Sequence, residues 1–420
     1  MLCNQSPSSK FVLLAGEASG DAQGALLVEA IRRLEPHAQF WGVGGGRMKN
    51  AGVTILYDSS TWGSIGVIES LKLVAPLTRI KRELVHRCKV SPPDLLIPID
   101  FGYFNLRVAG EIRASGSRVL YYFPPKSWSR DATVSQRLRE SVDAVATPFP
   151  WSADRLREAG VPVSFVGHPL LDTTHLSASR TELCTELNFD STHPVVALLP
   201  GSRTHEVKYL WPQLVAAAKE VAVQIPGVQF VVPAAPSVDR RYLMNVLHRQ
   251  GSDLKVGILE GRTGDALIVA DVVAACSGTA TLEAAIRLKP MVILYGGSWL
   301  MSLEWAYRKP RLNLPFIGMP NVMAGREVAP ELIGEDATGP KIAEEILSLL
   351  TNSPRADKMR SELREVVQLL GAPGAADRTA AIAIEMARGP MDMQKLNSLL
   401  ERQSCPLIEE ATALSGEAIH

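Results

Sequence analysis

The chain has few cysteines and no excess of charge of either sign. Its five cysteines are an odd number and form no CxxC pair, which argues against a disulfide framework or a zinc site. The chain has 44 basic residues (Lys and Arg) and 44 acidic residues (Asp and Glu), so its formal net charge is zero. That balance gives no general reason to expect nucleic acid. We therefore expect reduced thiols, a cytoplasmic protein and no nucleic-acid partner.

Long apolar runs and several ligand fingerprints are also missing. No apolar run approaches the roughly 18 residues of a membrane span, and the opening MLCNQSPSSK lacks the basic and apolar regions of a signal peptide. There is no P-loop lysine motif and no dinucleotide fingerprint after the first apolar run. No DxD-like motif occurs at the candidate donor loops, so we expect neither a metal nor a cofactor.

Short apolar runs alternate with amphipathic stretches through most of the chain. The runs are FVLLAG, QFWGVGG, VTILY, DLLIPID, RVLYYF, DAVAT, SFVG, PVVALLP, VQFVVPA, KVGIL, DVVAAC and MVILY. This alternation predicts an α/β protein with parallel sheets covered by helices on both faces. The length favours two doubly wound, Rossmann-like domains over a single core.

The polar segment 172–194 predicts the domain boundary, because a new strand–helix series starts after it. We expect an acceptor-side domain over residues 1–175 and a nucleotide-sugar domain over residues 190–388, with late helices as candidates to pack back on the first domain. Residues 389–420 form a charged tail that is expected to fray. Open α/β sheets bind ligands beyond the carboxyl ends of their strands, so the main site is predicted in a cleft across which the domains face.

The stretch LLPGSR, residues 198–203, ends a strand-like run in a turn that offers Ser202 and Arg203. A planar guanidinium suits a diphosphate because it donates two parallel hydrogen bonds. An exposed arginine on a tight turn explains the same residues.

The stretch CSGTATLEAAI, residues 276–286, takes a strand into a helix through Ser277, Gly278 and Thr279. The free N–H groups of a helix start attract anions, and Glu283 lies about one turn in, where it can accept from ribose hydroxyls. A capped helix explains the pattern alone. The two stretches in one domain favour a nucleotide-sugar diphosphate site.

Two residues of the first half are candidates for acid–base chemistry. Asp100 ends the apolar run DLLIPID, where desolvation raises a carboxyl pKa toward that of a general base. A turn or helix-capping role is the alternative. His168, in VGHPLLD, is equally consistent with a catalytic group and with a hydrogen-bonded support.

Three further stretches are candidates for contact with a ligand or a membrane. AGEASGD, residues 15–21, is typical of the ligand-facing loop after a strand in an α/β protein. GVGGGRM, residues 42–48, fits a ligand loop or a flexible turn. Residues 61–88 combine an apolar stretch with a basic cluster, which fits a membrane-surface helix or an ordinary core helix. Pro76 is expected to kink or end that helix.

Taken in order along the chain, several motifs resemble those of lipid-A-disaccharide synthases. They are AGEASGD, GVGG with Met48, IGVIESL, PDLLIPID, FN at 104–105, VGHPLLD, LLPGSR, SGTATLE and MPNVMAGREVAPEL. The resemblance runs from about residue 11 to residue 385. GEASGD and PNVMAGREVAPEL are specific to that family, whereas LLPGSR and SGTATLE are shared with other GT-B enzymes.

The resemblance implies an inverting GT-B glycosyltransferase, that is, a hexosyltransferase of lipid A biosynthesis. It would transfer 2,3-diacylglucosamine from UDP to 2,3-diacylglucosamine 1-phosphate, forming the β-1,6 lipid A disaccharide 1-phosphate and UDP. The implied partners are the UDP-diacylglucosamine donor, the acylated glucosamine phosphate acceptor and the inner-membrane surface. A peripheral location on the cytoplasmic face of the inner membrane follows, with residues 62–87 as the candidate contact.

The resemblance also implies roles for individual residues, with Asp100 as the catalytic base. Residues expected to bind the donor nucleotide and diphosphate are Ser202, Arg203, Ser277, Gly278, Thr279, Glu283, Asn321 and Glu327. Residues expected on the acceptor side are Glu17, Ser19, Gly20, Asp21, Asn105, Trp128 and His168.

The chain departs from the family pattern around the expected acceptor region. IDFGYFN stands where the family usually reads IDAPDFN, so Tyr103 replaces an aspartate, and PPKSWSRD stands for SPSVWAWR with Trp128 kept. Ile333 and Gly334 follow PEL where a glutamine is usual. These departures leave open a divergent paralogue that binds sugar nucleotide or glycolipid with altered or no turnover. A GT-B UDP-sugar epimerase, which shares the donor site alone, is the other alternative.

Overall fold

The structure, a computed structural model, describes residues 8–60, 62, 67–130, 132–173, 178–296, 316–392 and 394–396, and for residues 67–74 it describes the backbone alone. Its α-helices are α1 Ala18–Leu34, α2 Gly46–Asn50, α3 Val67–Val90, α4 Gly102–Ala114, α5 Gln136–Ser141, α6 Pro150–Glu158, α7 Arg180–Glu186, α8 Thr204–Gln224, α9 Arg240–Gln250, α10 Thr263–Val269, α11 Thr279–Ile286, α12 Met319–Ala324, α13 Gly339–Thr351, α14 Ser353–Gln368 and α15 Ala375–Arg388.

Seven parallel strands form the first sheet, in the order β3-β2-β1-β4-β5-β6-β7. They are β1 Lys10–Ala15, β2 Gln39–Gly44, β3 Thr54–Asp58, β4 Leu95–Ile99, β5 Arg118–Tyr122, β6 Ala144–Thr147 and β7 Val163–Phe165. Each coincides with a predicted apolar run. Such strands can be identified from sequence because a parallel strand that is buried on both faces consists almost entirely of apolar residues.

Six parallel strands form the second sheet, in the order β10-β9-β8-β11-β12-β13. They are β8 Val195–Leu199, β9 Gln229–Ala234, β10 Val256–Glu260, β11 Val272–Cys276, β12 Met291–Tyr295 and β13 Glu331–Ile333. The last of these was not predicted, because three residues led by a glutamate carry no strand signal. The prediction of two Rossmann-like parallel-sheet domains is confirmed.

Helices bury both faces of the first sheet. On one face α1 and α15 contribute Leu27, Ile31 and Met386, all fully buried. On the other face α3 and α4 contribute Leu84 and Val108. The sheet is therefore a rigid base from which the loops at its carboxyl edge project.

The strand order reverses once in each sheet, and the predicted site loops follow the strands at that point. In the first sheet the reversal lies between β1 and β4, where Ala15 pairs with Ile99. In the second it lies between β8 and β11, where Leu199 pairs with Ala275. A reversal opens a crevice beyond the carboxyl ends of the two central strands, which is where doubly wound proteins bind ligands.

The chain folds into two compact units. The first contains the described residues up to Asp172 and from Leu370 onward, and the second spans Thr173–Leu369. Helix α15, which lies inside the range predicted for the second domain, packs against α1 of the first. Its apolar face, with Ala380, Ile384 and Met386, is buried there.

No helix in the described part of the chain is both long enough and apolar enough to cross a membrane. Helix α3 runs through Pro76 rather than ending there. Within residues 62–87, the predicted membrane contact, the side chains of residues 63–74 lie outside those that the structure describes.

Candidate active site

Asp100 occupies the turn that directly follows β4. Asp100 and Phe101 have φ values of 49° and 45°, the left-handed region that side-chain-bearing residues avoid. Each such residue costs about 1–2 kcal/mol. Two in succession persist only where the surrounding structure holds them.

Two side chains hold this turn by its carbonyl oxygens. Asn105 in the first turns of α4 is 1% exposed, and its Nδ2 donates to the carbonyls of Asp100 at 2.8 Å, Leu14 at 3.0 Å and Ile99 at 3.1 Å. The hydroxyl of the buried Tyr121 donates to the Asp100 carbonyl at 2.7 Å. Asn105 therefore ties the ends of β1 and β4 together and positions the aspartate.

The Asp100 side chain keeps access to solvent. The protein atoms around it nevertheless desolvate the carboxyl group and raise its pKa, while a hydrogen bond from the Phe101 N–H lowers it in part. A raised pKa makes a carboxylate a stronger base, which suits the role predicted for it.

The stretch AGEASGD is the β1–α1 turn beside Asp100. A Cβ on Gly16 would lie 2.2 Å from Cγ of Phe101, so glycine is required where the two strand ends meet. Ser19 is exposed in the first turn of α1, Gly20 is buried, and Glu17 is half-buried before the helix. The first N–H groups of α1 have no acceptor within the helix, so this turn presents donors and the positive end of the helix dipole.

Asp21 is 7% exposed and faces the glycine-rich stretch rather than solvent. Its carboxylate accepts from the N–H groups of Gly45 at 2.7 Å, Arg47 at 2.9 Å and Met48 at 3.0 Å. These bonds cap the start of α2. The residue thus joins AGEASGD to GVGGGRM, and both stretches belong to one corner of the first unit.

His168 is a buried support. Its ring packs on Phe123 and Phe149 at 5.7 and 5.5 Å, and its Nδ1 accepts from the Leu170 N–H at 3.2 Å. Burial lowers the pKa of His168 to about 3, so the imidazole is neutral at physiological pH. Of the two roles predicted for it, this geometry favours the hydrogen-bonded support.

Two of the three departures from the family pattern, Tyr103 and the stretch around Trp128, lie near the Asp100 turn. Tyr103 is 69% exposed and stacks on Arg107, whose guanidinium carbon is 3.7 Å from the ring centre. Trp128 is half-buried in the turn after β5. A Cβ on Gly102 would lie 2.4 Å from Pro125, so these two segments are in close contact.

In the second unit, Ser202 and Arg203 lie exposed between β8 and α8. Nη1 of Arg203 donates to Oε1 of Glu206 at 2.9 Å, and the Arg203 N–H lies 3.3 Å from Oε2. The Glu206 side chain is 5% exposed, whereas that of Arg203 is 47% exposed. A buried carboxylate thus orients an arginine whose side chain is about half exposed.

The loop after β11 lies beside the loop after β8, since a Cβ on Gly201 would be 3.2 Å from Sγ of Cys276. Ser277 is half-buried and its Oγ donates to the Ile317 carbonyl at 2.9 Å. Gly278, with φ 152°, precedes α11, and a Cβ built on it meets nothing within 4 Å. Gly278 and Thr279 are exposed, so the start of α11 is open to a ligand.

Glu283 is half-buried in α11, one turn after Thr279. It interacts electrostatically with Arg287, whose pKa is lowered by burial and raised in part by Glu283. The predicted nucleotide-binding acid therefore has a cation beside it at the end of the same helix.

Asn321 is fully buried and holds its own loop. Its Oδ1 accepts from Val328 and Ala329 N–H at 2.7 and 2.9 Å, and its Nδ2 donates to the Ala329 carbonyl and to Glu331 at 2.7 and 2.8 Å. Its hydrogen-bonding positions are thus used within the protein. Asn321 positions the loop from inside, whereas Glu327 is exposed on the outside of it.

Three positioning residues escaped the sequence reasoning: Tyr121, Glu206 and Glu331. Glu331 accepts from the Gly318 N–H at 2.8 Å at the start of α12. Of the three, Glu206 had a usable signal, because it stands three residues after Arg203, the spacing of a capping carboxylate. Tyr121 and Glu331 act across the sheet and loop, and no local pattern marks them.

Within the described ranges, no group of three or more His, Cys, Asp or Glu residues is arranged to hold a metal ion. The described cysteines Cys88, Cys184 and Cys276 are buried free thiols.

Comparison with known proteins gives two kinds of match. The family model described as lipid-A-disaccharide synthetase matches residues 11–384. The lipid-A-disaccharide synthase of Geobacter metallireducens is 37% identical over 380 residues, covering 90% of this chain and 98% of its own. That of Coxiella burnetii is 35% identical over 376 residues, covering 89% and 98%.

Solved structures match at lower identity and share the fold. A putative UDP-N-acetylglucosamine 2-epimerase from Listeria monocytogenes aligns with a TM-score of 0.63 and 13% identity, covering 92% of this chain and 99% of its own. The calicheamicin glycosyltransferase CalG4 aligns with a TM-score of 0.56 and 13% identity, covering 91% and 98%. Both place the two described units within the GT-B architecture.

Proposed function

The chain belongs to the lipid-A-disaccharide synthase family of glycosyltransferases, and we propose that it joins two acylated glucosamines. The donor is UDP-2,3-diacylglucosamine and the acceptor is 2,3-diacylglucosamine 1-phosphate. The products are the β-1,6-linked disaccharide 1-phosphate and UDP. The likeness to an epimerase is one of fold, and no residue in the described site favours epimerisation over transfer.

One observation carries the donor assignment. Arg203 follows β8 and the open start of α11 follows β11, and these two strands are neighbours at the reversal of the second sheet. A diphosphate between them would accept from the guanidinium and from the N–H groups near Thr279. The same donors stabilise the charge that develops on UDP as the glycosidic bond breaks. Glu283 and Glu327 supply carboxylates for the ribose hydroxyls.

Asp100 supplies the base. The acceptor 6-hydroxyl oxygen forms a bond to the anomeric carbon of the donor while the bond from that carbon to the diphosphate oxygen breaks. The hydroxyl proton passes to the Asp100 carboxylate, and the electron pair leaves with UDP. Attack from the face opposite the leaving group inverts the anomeric centre, which gives the β linkage.

The β1–α1 turn is the proposed acceptor surface. Ser19 and the free N–H groups at the start of α1 are donors suited to sugar hydroxyls or to the acceptor phosphate. Glu17, Gly20 and Trp128 complete this surface, while Asp21 and Asn105 hold it from within. His168 is proposed to support the acceptor side through its ring contacts with Phe123 and Phe149. Tyr103 and its partner Arg107 lie at the start of α4, next to the Asp100 turn, so they are proposed to tune acceptor choice.

Both proposed substrates carry acyl chains, so we place the reaction at the cytoplasmic face of the inner membrane, with the protein bound peripherally. Residues 62–87 remain the proposed contact, because they join apolar and basic side chains in one segment.

Mass spectrometry of the reaction products tests the assignment. Purified protein with the UDP-linked donor and the 1-phosphate acceptor, without added metal, is expected to yield the disaccharide 1-phosphate and UDP. Arg203→Ala is expected to weaken UDP binding by about tenfold or more, whereas Arg249→Ala, exposed in the last turn of α9, is the control. Tight UDP binding without product would instead favour the divergent, non-catalytic paralogue.

A further inference from the structure

The first unit also contains a pocket at the amino ends of its strands, on the side of the sheet away from Asp100. It has a volume of about 340 Å³, toward the low end of the roughly 300–1,000 Å³ typical of small-molecule sites. Its lining includes Arg118 at the start of β5, Asp143 before β6 and Pro162 before β7. These are amino ends of strands, whereas Asp100 follows a carboxyl end. The pocket is therefore separate from the proposed transfer site.

Two arginines in this pocket are fixed by hydrogen bonds that leave donors unused. Arg113 donates from Nε to Asp143 and from Nη1 to the Glu140 carbonyl, both at 2.9 Å. Arg118 donates from Nη1 to the last carbonyls of α15 at 2.9 Å. Within the described residues, Nη2 of each has no protein acceptor. Fixed guanidiniums lose little conformational entropy when they bind a ligand.

A third arginine lines the same cavity without any anchor. Arg139, on α5, makes no ion pair and no side-chain hydrogen bond within the described part of the chain. The lining of the pocket therefore contains three guanidinium groups and one carboxylate. That carboxylate belongs to Asp143, which already pairs with Arg113. The pocket has a surplus of positive charge although the chain as a whole is neutral.

We propose that this pocket binds a phosphate monoester or diester. Guanidinium groups donate bidentately to phosphate oxygens, and three of them with spare donors suit an anion with several oxygens. The rest of the lining is small or apolar, including Val142, Val161 and Met391, and accommodates a short organic substituent. The phosphate could belong to a free metabolite or to the headgroup of a membrane lipid.

The matched pair Arg139→Gln and Arg137→Gln tests the site, because both residues lie on α5 and only Arg139 lines the pocket. Calorimetric titration with glycerol 3-phosphate, under saturating UDP, reports binding of the free form. Flotation with vesicles of phosphatidylglycerol in phosphatidylcholine reports binding of a headgroup. Thermal unfolding of both variants verifies the fold.

We expect Arg139→Gln to weaken binding by about tenfold and Arg137→Gln to leave it within twofold. Sensitivity in the titration identifies a free phosphate ester as the ligand. Sensitivity in flotation alone identifies a lipid headgroup, and either result supports the site. Equal binding by both variants, or no binding of either probe by the wild type, overturns the proposal.

Discussion

At the scale of single residues, the most informative feature is the strained turn at Asp100. Side chains hold its two left-handed residues through hydrogen bonds to the Asp100 carbonyl, and the Phe101 N–H bonds the carboxylate itself. The carboxylate is therefore oriented before any substrate arrives. Pre-organisation of this kind lowers the barrier because the protein need not reorganise during reaction.

Tyr121→Phe removes one of those hydrogen bonds without changing the shape of the side chain. A typical hydrogen bond contributes about 0.5–1.5 kcal/mol, so we expect kcat to fall by roughly three- to tenfold with KM little changed. The apparent pKa of the acidic limb of the pH–rate profile, where the base becomes protonated, should shift as Asp100 loses its fixed position. Steady-state kinetics across pH measures both.

Tyr122→Phe is the control, since its hydroxyl is buried on the other face of the same strand, on the side of Thr379. Equal losses of kcat in the two variants would show that the effect is general to the sheet and not specific to Asp100.

His168 gives the fold a pH dependence of known sign. Its pKa is about 3 in the native state and about 6.5 in an unfolded chain. Between these values the unfolded chain binds a proton that the native state does not, so stability falls as the pH drops from about 6.5 toward 3. From pH 7 to pH 5 this one group lowers the free energy of unfolding by about 2 kcal/mol.

His168→Gln removes this titration. The variant should be less stable than the wild type at pH 7 but should lose less stability on going to pH 5. Urea unfolding at both pH values measures the difference, and an unchanged pH dependence would contradict the burial assigned to the imidazole.

From sequence alone, a residue that contacts a ligand cannot be distinguished from one that supports a loop. Asp21, Asn105 and Asn321 lie where ligand-facing residues were predicted, yet the side chain of each forms hydrogen bonds with backbone groups of the protein. Loops that approach a ligand also bury backbone N–H and C=O groups that need partners. A polar residue in such a motif looks the same in sequence whether it contacts the ligand or the loop.

At the scale of elements, strands were predictable and the docking of α15 was not settled. Fully apolar runs bounded by Gly, Pro or charged residues identify buried parallel strands. Helix α15 is amphipathic, so its sequence shows that it packs on something and not on what. The turn GAPG before it, in which Gly371 and Gly374 have φ values of 79° and 95°, reads as an ordinary connection between helices.

Ile382→Ala tests how much α15 contributes to the first unit. Ile382 is fully buried in the core on the α1 side of the sheet, so truncation should cost about 2–5 kcal/mol of unfolding free energy. Arg388→Ala, at the exposed end of the helix, should change it by less than about 0.5 kcal/mol. Urea unfolding followed by circular dichroism distinguishes them, and a small effect of Ile382→Ala would argue against a structural role for α15.

At the scale of the whole molecule, the chain passes between its two units twice, after Asp172 and after Leu369. The first crossing lies at a polar segment that composition reveals. The second lies between two regular helices with no change in composition. The proposed base, Asp100, belongs to the first unit, and the loops proposed to bind the diphosphate belong to the second.

The most direct test of the account is the rate of disaccharide formation by the wild type and by Asp100→Asn, with UDP affinity measured on both proteins. Asparagine keeps the size of the side chain and cannot take the proton of the acceptor hydroxyl. We predict disaccharide 1-phosphate from the wild type, a loss of about 10²- to 10⁴-fold in kcat for the variant, and UDP affinities within a few fold of each other. Undiminished transfer by Asp100→Asn would contradict the assignment of Asp100 as the base.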